Sequence, residues 1–149
     1  MKRARILLWL ALATAAATVL GCRMNRPPVL GPVAGKLLPC PGSPNCVGSQ
    51  DPDPGHQIAP LPARGPIKET MGKLKAAVLA QPRTRVTEER EGYLRAESTS
   101  LLFRFVDDVE FLYDGPAQVV HVRSASRVGH SDLGVNQRRV EKLRSALAR

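Results

Sequence analysis

The stretch Phe103-Arg-Phe-Val-Asp-Asp-Val-Glu-Phe-Leu-Tyr113, "FRFVDDVEFLY", decides the fold. Phe103, Phe105, Val109, Phe111 and Tyr113 share one parity, and successive strand residues point to opposite faces. The spacing therefore predicts a β-strand whose odd-numbered side is buried. Asp107 alone interrupts that side. A carboxylate facing a core needs a charged partner, so Asp107 is a buried polar residue that the structure has to explain. All five aromatic residues after residue 22, Tyr93 and the four in this run, fall between residues 93 and 113. An alternating aromatic face of this kind reads as core rather than as a platform for stacking bases.

Working outward, Thr84 to Glu89 and Tyr93 to Thr99 also alternate and flank Arg90-Glu91-Gly92, a hairpin with Gly92 at the turn. Downstream, Asp114-Gly115 turns the chain into "VVHVRSASRV", where Val120, Val122, Ser124, Ser126 and Val128 face one way and His121, Arg123, Ala125 and Arg127 the other. Before these strands, Ile67, Met71, Leu74, Val78 and Leu79 recur at helical spacing, between Pro66 at a favoured first position and Gln81-Pro82 as a stop. After them a helix from about residue 136 to 148 places Val140, Leu143 and Leu147 on one side. The expected architecture is α+β: a small antiparallel four-stranded sheet spanning about residues 84–128, with helices 66–81 and 136–148 covering one face. An irregular Pro-rich segment precedes it.

That leading segment, Arg23 to Gly65, holds ten of the 13 prolines and six of the 12 glycines without apolar periodicity. It reads as a tether over residues 22–37, then a cysteine loop over 38–50 and an irregular stretch over 51–65. Residues 38–149 form the single domain in this reading. Residues 1–21 read as an export signal: Lys2, Arg3 and Arg5 precede Ile6 to Leu20, an uncharged run shorter than the ~20 residues that span a bilayer. The run closes on Val19-Leu20-Gly21-Cys22, which resembles a bacterial lipobox. Such a signal makes Cys22 the acylated first residue of the mature chain and its partner a membrane, since multiple acyl chains give a stable anchor. Arg23 in place of an aspartate favours the outer over the inner membrane by resemblance to Gram-negative sorting.

With Cys22 assigned to lipid, Cys40 and Cys46 remain as a pair in an oxidising compartment, and a disulfide is the default. Free or regulatory thiols and a metal clip are the alternatives. Against metal, His56, His121 and His130 do not sit at ligand spacing from the cysteines; no metal set or cofactor motif is legible. Charge narrows the function classes. Removing Lys2, Arg3 and Arg5 leaves 19 basic against 13 acidic residues, a net of +6. Val86 to Asp114 carries eight acidic and three basic residues; Gly115 onward carries seven basic and two acidic. Packed together these segments neutralise each other, whereas nucleic-acid binding wants an uncompensated basic stripe.

"CPGSPNCVGS", "FRFVDDVEFLYD" and "VVHVRSASRVGHSDLGVNQRRVEKLR", in that order, resemble the domain-of-unknown-function 1499 family over roughly Leu38 to Arg144. His130 stands where an aromatic residue is expected in that pattern. The resemblance implies a small envelope or organelle-lumen domain, often behind a lipoprotein signal, and carries no established activity.

Any site must then be argued from the residues. Arg138 and Arg139 near the start of the last helix oppose the helix dipole, which favours anions, and read as part of an anion pocket. Arg123, Arg127, Arg138 and Ser131 are the candidate residues that converge there on a phosphate, a carboxylate or an anionic lipid headgroup. Pairing of the arginines with Asp107, Asp108 and Glu110 is the competing arrangement. The chain thus reads as a lipid-anchored binding or scaffold domain, non-catalytic. A periplasmic enzyme using Asp107 and Asp108, or Ser131 and His130, is the alternative.

Overall fold

The computed structural model describes residues 27–148; residues 1–21, read above as an export signal, and Cys22 lie outside the described residues. The chain runs through β1 (Cys46–Gly48), β2 (Leu61–Pro62), α1 (Ile67–Leu79), β3 (Thr84–Arg90), β4 (Tyr93–Thr99), β5 (Val106–Asp114), β6 (Val119–Ser126) and α2 (Val135–Leu147). The sheet has six strands, not the four expected from the sequence. All pairs are antiparallel, in the order β1-β6-β5-β4-β3, with β2 also on β6.

The two additional strands are three and two residues long, too short for alternation to be visible among prolines. They pair end to end with β6, Cys46–Gly48 opposite Arg123–Ala125 and Leu61–Pro62 opposite Val119–Val120. A sheet edge left open exposes unpaired backbone groups, and these strands cover that edge. The Pro-rich segment is therefore part of the sheet. The Cys40–Cys46 disulfide, Cα–Cα 5.7 Å, closes the loop entering β1. His56 Nδ1 lies 3.0 Å from the Cys46 carbonyl on the way out.

The helical face of the sheet carries Leu94, Ala96, Val109, Phe111, Val120 and Val122, packed against Leu74 and Val78 of α1 and Val140 and Leu143 of α2. Residues opposite one another share this face, since Leu94 and Val122 both register with Phe111. Burying each of these side chains other than Ala96 contributes about 1.5–3 kcal/mol before entropy is counted. Gly92 closes the β3–β4 hairpin at φ 72°, a left-handed conformation that a side chain disfavours. Leu79, assigned by spacing to the inner side of α1, is half exposed.

The larger departure is at the start of the deciding stretch. β5 begins at Val106, and Phe103 and Phe105 lie outside the core, 73% and 40% exposed. Thr99 pairs with Val106, so Ser100 to Phe105 is the β4–β5 loop. Ser100 N–H donates to the Phe105 carbonyl across its base at 2.8 Å, and Arg104 sits at φ 56°. Parity alone does not distinguish a strand residue from a loop residue that happens to continue its alternation.

Candidate functional site

β5 carries three consecutive or near-consecutive carboxylates, Asp107, Asp108 and Glu110, and all three are buried. Because strand residues alternate, Asp107 goes to the helical face and the other two to the opposite face. Each meets guanidinium groups from the basic C-terminal part of the chain.

On the helical face Asp107 accepts from Arg139 Nη2 of α2. Arg139 Nη1 also donates to Ser124 Oγ at 3.0 Å and to Asn136 Oδ1. Asn136 is completely buried and is the hub of this network. Its Oδ1 accepts from Ser124 Oγ at 2.6 Å; its Nδ2 donates to the Asn45 carbonyl, Ser126 Oγ and Asp132 Oδ2 at 3.0, 3.1 and 2.8 Å. Asp132 in turn accepts the Gly134 and Asn136 amides at 3.0 and 2.6 Å, and Asn45 Nδ2 donates to the Gly129 carbonyl at 2.6 Å. Asn45, Asp107, Ser124, Ser126, Asp132, Asn136 and Arg139 thus join the three sequence motifs in one buried polar knot. The signal for it was present: an uncharged amide at Asn136 between Val135 and Val140 lies on the inner side of α2.

On the opposite face Asp108 accepts from Arg127 Nε at 2.7 Å and from Arg95 Nη2 at 2.7 Å. Arg127 also reaches Glu97, which pairs in turn with Arg85. Burial by itself pushes the Asp108 carboxyl up, but the hydrogen bonds and charges of Arg127 and Arg95 outweigh it and hold the group below the usual carboxylate range. The bond to Asp108, opposed by burial and supported by Glu97, raises the Arg127 guanidinium. Glu110 is completely buried. It accepts from Tyr93 Oη at 2.9 Å, from the Gly31 amide at 3.0 Å and from Arg123 Nη1 at 3.4 Å. Burial, then the Glu110 charge, raises the Tyr93 phenol. Gly31, in the segment read as tether, is thereby fixed on this face.

The four residues grouped by sequence as an anion pocket are distributed differently. Arg123 and Arg127 hold Glu110 and Asp108. Ser131 Oγ accepts the Leu133 amide at 3.3 Å. Arg138 Nη1 turns back to the Leu133 carbonyl at 2.8 Å. The start of α2, which was expected to draw an external anion, receives the Asp132 carboxylate instead. Arg138 does line a cleft of about 390 Å³ between α2 and the start of the β4–β5 loop. That cleft is bounded by Arg83, Arg138, Arg139 and Lys142 against a single carboxylate, Asp107.

Of the candidate catalytic pairs, Asp107 and Asp108 occupy opposite faces, each in its own ion pair. His130 and Ser131 are both exposed. A hydroxyl–imidazole–carboxylate chain not foreseen from the sequence joins Ser49 Oγ to His121 Nδ1 at 3.2 Å and His121 Nε2 to Asp114 Oδ2 at 3.3 Å. A carboxylate only accepts, so Nε2 donates to Asp114, and Nδ1 meets the Ser49 hydroxyl on the other side of the ring. Ser49 Oγ also accepts the Val122 amide at 2.9 Å, which ties the residue after β1 to β6. Among the described residues no group of His, Cys, Asp and Glu side chains is arranged to hold a metal ion.

Asp108 gives the site a pH signature. Its folded pKa lies below its unfolded one, near 3.9, so its contribution to stability is complete above about pH 4 and is lost as pH falls through the folded value. Urea unfolding followed from neutral pH downward is expected to show the wild type losing stability through this window, with Asp108→Asn less stable at neutral pH and flatter below pH 4. A parallel acid dependence in both chains contradicts the assignment.

A search of curated proteins finds no match to the chain. A family model does match it, over residues 36–147, a span that contains both faces of β5, the disulfide, both helices and every member of the polar knot. The chain belongs to the family described as protein of unknown function (DUF1499).

Proposed function

We propose that the chain is a lipid-anchored protein of the bacterial cell envelope whose domain is a non-catalytic binding module for an anionic group. The anchor rests on the sequence Lys2 to Cys22 and faces the periplasm, with the outer membrane preferred. The single observation that carries the binding reading is the cleft beside α2. Its lining brings four cationic side chains to one carboxylate, and that carboxylate is already held by Arg139. Elsewhere on the sheet the arginines are matched by Asp108, Glu97 and Glu110, so their charge is spent inside the protein. Arg83 Nε donates to the Thr99 carbonyl at 3.0 Å and Arg138 to Leu133, each through a single nitrogen. A guanidinium has five donors, which leaves both able to take a phosphate or carboxylate. Lys142 adds a third exposed cation on the same side of α2.

Inorganic phosphate titrated into the full chain and followed by backbone amide NMR is expected to shift Arg83, Thr99, Arg138 and Lys142 together. The double variant Arg138→Ala, Lys142→Ala is expected to weaken binding about tenfold, the loss of roughly 1.4 kcal/mol. Unchanged affinity in that variant sinks the cleft as the site. The anchor is read separately, by the mass of the chain taken from its native membrane. Acyl groups on Cys22 are expected, and an unmodified Cys22 removes the envelope reading.

A further inference from the structure

Beside the basic cleft the protein presents apolar side chains to water. Leu101, Leu102 and Phe103 in the β4–β5 loop are 67%, 80% and 73% exposed. Phe103 stacks on Phe105 with ring centroids 5.5 Å apart, so the two rings form one apolar surface. Leu101 borders the cleft together with Val135 of α2. Leu133, 84% exposed, lies where the Arg138 guanidinium folds back on its carbonyl. Large side chains exposed singly are ordinary, but a contiguous set marks a contact surface.

Two further features give the patch its character. Arg104 stands inside the loop, and Arg83, Arg138 and Lys142 stand around it, all of them exposed. Both Arg104 and Leu133 adopt left-handed backbone, at φ 56° and 53°, a conformation uncommon for such residues and retained where the surroundings impose it. In the loop Leu101, Leu102, Phe103 and Phe105 are all exposed. An apolar, aromatic tip surrounded by cations matches the interface of a bilayer, where rings settle at headgroup level and basic side chains meet anionic lipid.

We infer that the Ser100–Phe105 loop and the basic cleft together form a membrane-contact surface that lies on an anionic bilayer, with the cleft receiving a lipid phosphate. This rests on the anchored reading given above and names the source of its anion. Chain length agrees with it. The Gly31 amide is fixed to Glu110, and Phe105 lies five residues before Glu110, about 17 Å along the strand direction. From Gly31 back to Cys22 the chain is nine residues, a reach of at most about 30 Å. An acylated Cys22 so close in sequence to the domain keeps it near the bilayer and raises the local concentration of lipid at the loop.

The test uses the full acylated chain in vesicles of phosphatidylcholine alone or mixed with phosphatidylglycerol, each with and without brominated acyl chains as quencher. Phe103→Trp reports on the loop and Lys68→Trp, on α1, serves as the control; each is the single indole of the acylated chain, because Trp9 leaves with residues 1–21. The expected result is quenching of Phe103→Trp severalfold above the control in the anionic vesicles, reduced by Arg104→Gln with Lys142→Gln. Vesicle association with quenching no greater than the control overturns the contact surface and leaves the anchor and phosphate cleft standing. Failure of the chain to enter the vesicle fraction overturns both. A blue-shifted Phe103→Trp emission without vesicles, rising with protein concentration, also overturns it, because the patch is then covered by a second copy.

Discussion

Three carboxylates buried on the central strand set the conditions for the rest of this fold. Removing an ionised carboxylate from water costs several kcal/mol unless charge and hydrogen bonds replace the hydration. Asp107 faces one side of the sheet and Asp108 and Glu110 the other, so the sheet must bring cations to both. It does so by laying β6 alongside β5, which supplies Arg123 and leads to Arg127, and by packing α2 on the other face, which supplies Arg139. Charge pairing thereby couples the strand order to the position of the last helix. The apolar core contributes more of the driving force, and its alternation already disfavours a one-residue slip; the charge pairs add a second constraint on register.

Much of this was legible. The acidic run of Val86 to Asp114 and the basic run after Gly115 were read as segments that neutralise each other, and their pairing is what the structure contains. The parity of Asp107 located a buried carboxylate. Cys40 and Cys46, left as a pair once Cys22 was assigned to lipid, were read as a disulfide by default, and the structure contains it. Other features left no local trace. β1 and β2 are strands only because β6 has an edge to be covered, so their three and two residues carry no period of their own. Phe103 and Phe105 alternated like core residues, yet the ladder ends at Thr99 and Val106. Asn136 was a polar residue on the inner side of α2, but its joining to Ser124 and Asn45 left no local trace, because a hydrogen-bond hub is a property of three segments brought together. Arg123 and Arg127 were grouped with Arg138 on charge, which says nothing about the face each occupies.

The separation of faces also changes the functional reading. Most arginines of the C-terminal part are structural, and their removal would leave carboxylates buried without compensation. Around the cleft beside α2, adjacent to an exposed apolar loop, Arg83, Arg138 and Lys142 are left with donors for an external anion. Family membership adds the extent of the domain and no chemistry. The proposal of an anchored binding module therefore depends on surface arrangement, whereas the account of the fold depends on the interior.

That interior account is tested most directly by a double-mutant cycle on Asp107 and Arg139, with Asp107→Asn, Arg139→Gln and the double variant compared by urea unfolding. Breaking a buried pair from one side is expected to cost about 3 kcal/mol in each single variant, and the double variant to cost much less than their sum. Additive losses, or single variants as stable as the wild type, contradict the claim that paired charges across β5 specify the fold.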